Sequence, residues 1–184
     1  MSQPRVDETV FSQITDSAAS RRTGVLASIN LSAGGIPKLA APEGLITARG
    51  LAGDRQRDCI FHGGRDRAIV IYCLEIIEAL QREGHPIRAG SAGENLTVTG
   101  LDWNLVAPGV LVTVGEVTLL VTKYCTPCYK IRGSFLAGDD SRISQKLHPG
   151  WSRVAARVLT GGTVRTGDRI EVIAPVAPSP QVAG

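Results

Sequence analysis

Apolar residues in this chain come in short runs broken by glycine and proline, and helical spacing appears only once. With 21 glycines and ten prolines in 184 residues, the chain has turns in abundance, which favours short strands over long helices. Val25–Leu31, Ala68–Tyr72, Val110–Val114, Val117–Lys123, Ser152–Leu159, Thr163–Arg165 and Asp168–Ile173 all read as strands. Gly115-Glu116 and Gly161-Gly162 sit between neighbouring runs and predict two hairpins. The one helix lies in LEIIEALQREG, where Leu74, Ile77 and Leu80 recur at helical spacing and Gly84 marks the stop. The pattern predicts a mainly β protein, a barrel or sandwich carrying a few helices. A doubly wound α/β sheet would need helical patterns between successive strands, and most are missing.

Residues 1–23 are polar and aperiodic and read as a loose arm, and 175–184 carry three prolines and read as an extended tail. Residues 24–174 form the single domain, and neither tail is expected to contribute to ligand binding. The formal net charge of +3 is too small to argue for nucleic-acid binding. No apolar run approaches the roughly 18 residues of a membrane helix, and no basic patch followed by an apolar segment marks a secretory signal. Four cysteines in such a chain do not look like a secreted disulfide framework, so a reduced, cytoplasmic protein is expected.

Three clusters carry chemical potential. In the first, Gly50–Arg55 is followed by His62–Arg67, and five arginines (Arg49, Arg55, Arg57, Arg65, Arg67) fall within nineteen residues against three aspartates. Glycines there let backbone amides approach a ligand while arginines supply positive charge, although a solvated loop of surface ion pairs has the same composition. Neither a Walker loop nor a GxGxxG fingerprint is present. The second cluster, Gly90–Thr97, is a turn feeding a strand, in which Glu94 and Asn95 offer an acceptor and an amide. The third runs from Lys123 to Arg132 and contains Cys125-Thr126-Pro127-Cys128. No acidic residue occurs between Val117 and Gly138, a setting that suits a nucleophilic or metal-ligating sulfur. Two packed thiols, a redox dithiol, or a Cys3His zinc site completed by Cys59 and His62 are the alternatives. The βαβ context of a thioredoxin-like dithiol is absent.

Taken in order, GLAGDR (50–55), HGGRDRAIVIY (62–72), GENLTVTGLD (93–102), VGEVTLLVTKYCTPCYKI (114–131) and HPGWSRVAARVLTGGTVRTGD (148–168) resemble the MOSC family, named for the C-terminal domain of molybdenum-cofactor sulfurases. The likeness covers roughly Gly24 to Ile173 and is nearest to the small stand-alone bacterial members of YiiM type. It implies a mostly antiparallel β-barrel that binds the molybdenum cofactor, with Cys128 as the functional cysteine: a molybdenum ligand or a carrier of persulfide sulfur. It also makes Arg55, His62, Arg67, Glu94, Asn95 and Lys123 candidate cofactor contacts, with Arg55, His62 and Arg67 expected around the same mouth as Cys128. No desulfurase domain or four-cysteine ferredoxin module is seen, and no lysine motif independently supports pyridoxal phosphate. The resulting expectation is a molybdenum-dependent oxidoreductase acting on N-hydroxylated compounds with electrons from a separate reductase. A persulfide sulfur carrier served by a sulfur donor, and a zinc-stabilised binding barrel, are the competing functions.

Overall fold

The structure, a computed structural model, describes residues 22–54 and 64–173. In chain order it contains β1 (Thr23–Leu31), β2 (Leu39–Ala41), β3 (Glu43–Thr47), β4 (Gly50–Leu51), β5 (Ile69–Cys73), α1 (Leu74–Arg82) and β6 (Leu96–Thr99). There follow β7 (Leu111–Val114), β8 (Val117–Tyr124), β9 (Val154–Thr160), β10 (Gly162–Arg165) and β11 (Arg169–Ile173). Short 3-10 turns occupy Arg65–Arg67 and much of the segment between β8 and β9.

The main sheet runs β11-β7-β8-β9-β5-β6-β1, and β1 also pairs with β11, which closes a barrel. Closure leaves the seven barrel strands without an open edge, and β2 adds to β1 alone. Pairing is antiparallel throughout except between β5 and β6. Parallel neighbours cannot be joined by a tight hairpin, so the chain must cross over, and α1 makes that crossing. The helical spacing thus falls where the topology demands a helix, with Ile77 and Leu80 buried and Gly84 past the end at φ 92°.

The barrel interior is filled by side chains such as Leu26, Ile29, Ile71, Leu96, Leu119 and Val154, all essentially inaccessible. Burial of each contributes about 1.5–3 kcal/mol. No lumen is left for a ligand among these residues, so any site lies on the outer face or under the loops. The arm and tail fall almost wholly outside the described residues. Thr23, the last position assigned to the arm, already pairs with Glu171.

One expected element is corrected. Gly161-Gly162 does not turn a hairpin: β9 stays in the barrel, whereas β10 leaves it and pairs with β3 in a separate β10-β3-β4 sheet. The glycine at 161 serves close approach instead, since a Cβ there would stand 2.5 Å from the Ile46 carbonyl oxygen. The Gly115-Glu116 hairpin forms as expected between β7 and β8.

Gly50 fastens this small sheet to the start of β5. Its φ is 111° and an added Cβ would lie 2.5 Å from the Ala68 carbonyl oxygen. Gly50→Ala is expected to lower stability by about 2–4 kcal/mol, through the positive φ and the backbone clash together. Urea denaturation measures this; an unchanged midpoint would show that the contact is not a constraint.

Candidate functional site on the outer face of the barrel

Alternation along β9 points Val154 and Ala156 into the core, which turns Arg153, Ala155 and Arg157 to the outer face. On β5, Ile69 and Ile71 face inward, and Val70 packs outside in a small separate cluster with Ala155 and Cys125. β8 reaches this face by an irregularity. Val117, Leu119 and Val121 point inward, but the register shifts between Val121, opposite Ala156, and Lys123, opposite Ala155. The extra residue, Thr122, reverses the alternation. Tyr124 then packs on the core while Cys125 packs with the outer cluster, so the bulge delivers the Cys125–Cys128 segment to the outer face.

Ser152 anchors that segment. Its Oγ lies 3.0 Å from the Cys125 carbonyl oxygen, and the Cys125 N–H donates to the Arg153 carbonyl at 2.8 Å. Trp103 Nε1 donates to the Ser152 carbonyl, and the Tyr72 hydroxyl donates to that of Trp151. Beyond Cys128 the chain is tied to the end of α1. Arg142 donates twice to Glu83, at 2.7 and 2.8 Å, while its guanidinium stacks on Trp151 at 3.8 Å. The Leu136 N–H donates to His85 Nδ1 at 2.9 Å. Cys128 stands half-buried on this held segment and makes no disulfide, whereas Cys125 is buried.

On the strands around Cys125 lie polar groups whose bonding capacity is incomplete. Glu94 is fully buried; its Oε1 accepts from the Gly90 N–H at 2.6 Å and the Thr97 hydroxyl at 3.2 Å. Glu94 Oε2 has no partner. Burial raises its carboxyl above the usual carboxylate range, against the opposing pull of the Gly90 N–H and the nearby Arg153 charge. Arg153 is also buried, donates from Nη1 to the Ala92 carbonyl, and leaves Nε and Nη2 unpartnered. Tyr72, held protonated by its burial, adds a third group near both. A buried acid and a buried cation thus stand side by side with bonding positions unused, an arrangement that is costly unless another polar group meets it.

The expected site residues divide. Glu94 lies on this face beside Arg153, and Cys128 stands half-buried three residues beyond Cys125. Asn95 is beside it, but its amide is engaged: Oδ1 accepts from the Val70 N–H and Nδ2 donates to Asp54. Asp54 in turn binds Lys38. Lys123 is exposed at the bulge. Arg67 belongs to the 3-10 turn 65–67, which lies against β8 and β9 through the Thr122 hydroxyl bond to the Asp66 carbonyl and the Arg157–Asp66 ion pair. Arg55 and His62 lie outside the described residues, as does the Cys59/His62 half of the zinc alternative. Among the described residues no group of three or more His, Cys, Asp or Glu could hold a metal ion. Arg153 is the residue that sequence reasoning passed over, because its place in SRVAARVL matches that of the solvent-facing Arg157.

A second thiol has a different fate. Cys73 Sγ lies 2.9 Å from Glu75 Oε2, and burial pushes it up to about 12. It therefore stays a thiol at the helix start.

The family model of the MOSC domain matches residues 58–171. The uncharacterized protein YflK of Bacillus subtilis is 31% identical over 144 residues, covering 76% of this chain and 63% of YflK. Protein YiiM of Escherichia coli is 31% identical over 138 residues, covering 72% and 60%. The chain thus spans about six-tenths of the length of these relatives. The crystal structure of YiiM from Escherichia coli superposes with a TM-score of 0.61 at 25% identity, over 84% of this chain and 72% of that one. That of YiiM from Geobacillus stearothermophilus gives 0.62 at 24%, over 82% and 75%, a likeness of fold alone.

The raised Glu94 carboxyl has a signed consequence. The folded chain holds this proton more tightly than the unfolded chain, so the stabilisation is full below the ordinary carboxylate range. It is lost as pH rises through the raised folded value. Glu94→Gln keeps the oxygen that accepts from Gly90 and has no proton to lose. Its melting temperature is expected to vary less over that rise than the parent's; parallel curves would remove Glu94 as the cause.

Proposed function

Because the chain belongs to the MOSC domain family, which is associated with molybdenum-cofactor binding, we propose that its outer face holds that cofactor on Cys128 and reduces N-hydroxylated compounds. The observation that carries this reading is the half-exposed, unpaired thiol of Cys128 on a segment bonded to Arg153, whose Nε and Nη2 have no partner. The residues fit the group. A thiolate is the soft donor that molybdenum favours, and a buried guanidinium with free N–H groups suits a ligand bearing anionic and carbonyl oxygens. Glu94 Oε2 has no partner, and burial favours the protonated form of its carboxyl, so this oxygen could bond a polar atom of the ligand.

When bound, the cofactor supplies a metal that accepts oxygen and passes electrons. The chain's own residues do the rest. Ser152 and Trp103 hold the backbone at Cys125, so that Cys128 is presented at a fixed position. Arg153 and Glu94 orient polar ligand atoms, and the buried wall of Val70, Ala155 and Cys125 keeps water from one side. Reduction of an N-hydroxylated amine consumes two electrons and two protons and releases water, so a separate reductase must supply the electrons.

Cys128→Ser replaces a soft ligand by a hard, mostly protonated one. It is expected to abolish molybdenum retention and N-hydroxy reduction with little change in melting temperature. Cys125→Ser places a hydroxyl in an apolar cluster and is expected to cost about 1–3 kcal/mol of stability while keeping molybdenum. Metal analysis, thermal melts and reduction assays with an artificial electron donor read both. Equal metal loss in the two variants, with zinc bound in the parent, would overturn the proposal. Cyanide-releasable sulfane sulfur on a parent that never reduces substrate would assign the face to sulfur transfer instead.

A further inference from the structure

The turn that ends α1 is built to hold one histidine. Gly84, at φ 92°, donates its N–H to the Gln81 carbonyl at 2.9 Å, and the His85 N–H donates to the Leu80 carbonyl at 3.0 Å. These two bonds are the Schellman pattern that closes a helix, and they set His85 at a fixed place just beyond it. Its ring is largely buried, with 9% of the side chain exposed, and stands edge-on to Phe135 at 5.5 Å. Nδ1 accepts the Leu136 N–H at 2.9 Å, so the proton of the neutral ring sits on Nε2, which faces Glu83 Oε2 at 3.6 Å. We propose that His85 is a positioning residue for the Cys128 segment: its neutral ring latches Leu136 in place, and its protonation opens the latch.

The two ring nitrogens carry this inference. An imidazolium has an N–H on each nitrogen and accepts on neither. A proton taken up at Nδ1 would point at the Leu136 N–H, leaving two donors face to face, and the contact must open. The cation also has partners waiting. The groups whose charge acts on this corner are Glu83 at the helix end, and Asp139, Arg142 and His148 on the segment packed against it. Glu83 and Asp139 favour a cation at His85, whereas Arg142 and His148 oppose it. Arg142 is partly neutralised by its two bonds to Glu83. Glu83 itself breaks a local rule, since the carbonyl end of a helix disfavours an acid. Its place is explained by the two cationic side chains it meets there.

The latched element is strained and has few other ties. Leu136–Gly138 is a 3-10 turn in which Ala137 has φ 53°, a left-handed backbone uncommon outside glycine. The Leu136 side chain is exposed, so its burial does not hold the turn. Three consecutive residues fasten it: the Ser134 hydroxyl donates to the Ser91 carbonyl at 2.8 Å, Phe135 packs on the His85 ring, and Leu136 bonds to Nδ1. Opening the last two leaves the Ser134 bond alone. From there back to Cys128 the chain is a run of 3-10 turns, in which the Phe135 N–H bonds to the Arg132 carbonyl and the Ile131 N–H to that of Cys128. His85 therefore fixes the far end of the segment on which Cys128 stands.

Hydrogen exchange of the full-length protein tests the latch, with the His85 ring titration followed by NMR in the same samples. As the ring gains its proton between about pH 8 and about pH 5.5, protection of the Leu136 amide, corrected for intrinsic exchange, is expected to fall about tenfold or more. His85→Asn puts an amide oxygen near the place of Nδ1 and takes up no proton; its protection is expected to stay at the parent's high-pH value throughout. His85→Ala has no acceptor and is expected to show the low value at every pH. Protection in the parent that does not follow the ring titration would overturn the latch without recourse to any variant. Loss of protection in His85→Asn as complete as in His85→Ala would also overturn it, because packing of the ring would then be what holds Leu136. Cys128 reports the positioning role: at a fixed pH of about 8, its alkylation by iodoacetamide, read on its own peptide by mass spectrometry, is expected to be severalfold faster in His85→Ala and unchanged in His85→Asn. Equal rates in all three proteins would overturn the link to Cys128. Neither measurement needs molybdenum, so a parent that latches but never reduces substrate would sink the function proposed for Cys128 and leave the latch standing.

Discussion

The single inserted residue in β8 decides where the chemistry of this protein can be. Up to Val121 the strand places its alternate apolar side chains in the barrel, and with unbroken alternation Cys125 would have followed them into the core. The register shift opposite Ala155 and Ala156 exchanges the faces, so Tyr124 completes the core and Cys125 closes the outer cluster with Val70 and Ala155. The chain then leaves the sheet at Cys125 on the outer side, bonded to the Arg153 backbone, and carries Cys128 three residues on. The filled interior makes this exchange necessary, since a ligand has no space inside a barrel packed with leucine, isoleucine and valine.

The same face shows how a protein accommodates buried polar groups without pairing them fully. Glu94 and Arg153 sense each other's charge, yet they leave Oε2, Nε and Nη2 unused. A closed ion pair would satisfy both groups and leave nothing for a ligand. Instead, the Gly90 N–H and Thr97 hydroxyl hold one carboxyl oxygen and the Ala92 carbonyl holds one guanidinium nitrogen. These bonds fix the two side chains and keep their other atoms free, so that the orienting cost is met during folding rather than on binding. The Asn95–Asp54–Lys38 chain does the opposite: its groups are consumed by one another, and it works as a brace between the loop after β1 and the start of β6.

How much of this could be read in the sequence depends on whether the determining contact was local. The β7–β8 hairpin and α1 were legible because turn chemistry and helical spacing are properties of neighbouring residues. The pairing of β10 was not, because Gly161-Gly162 satisfies a turn pattern and a close backbone approach equally well, and only the distant Ile46 carbonyl distinguishes them. Cys128 and Glu94 were singled out from motif order, and their role on this face is the proposal made above. Arg153 was not, because SRVAARVL reads as an ordinary alternating strand whose arginines face solvent. Arg157 does face solvent and pairs with Asp66; Arg153, four residues earlier on the same face, is covered by the loops that carry Ala92 and Trp151.

That covering also explains why the arginines of this face differ in what they can bind. Arg157 is neutralised by an exposed acid, a pairing worth little in water and weakened further by salt. Its structural effect exceeds its energy, because occupying Asp66 withholds the nearest carboxylate from Arg65 and Arg67. Charge on this surface is therefore sorted and not merely abundant. Among the described residues, Asp66 is directed to the barrel wall, while Arg49, Arg65 and Arg67 line one opening. The strand position of Arg157, set by the register of β9 against β5 and β8, is thus what turns Asp66 away from Arg65 and Arg67.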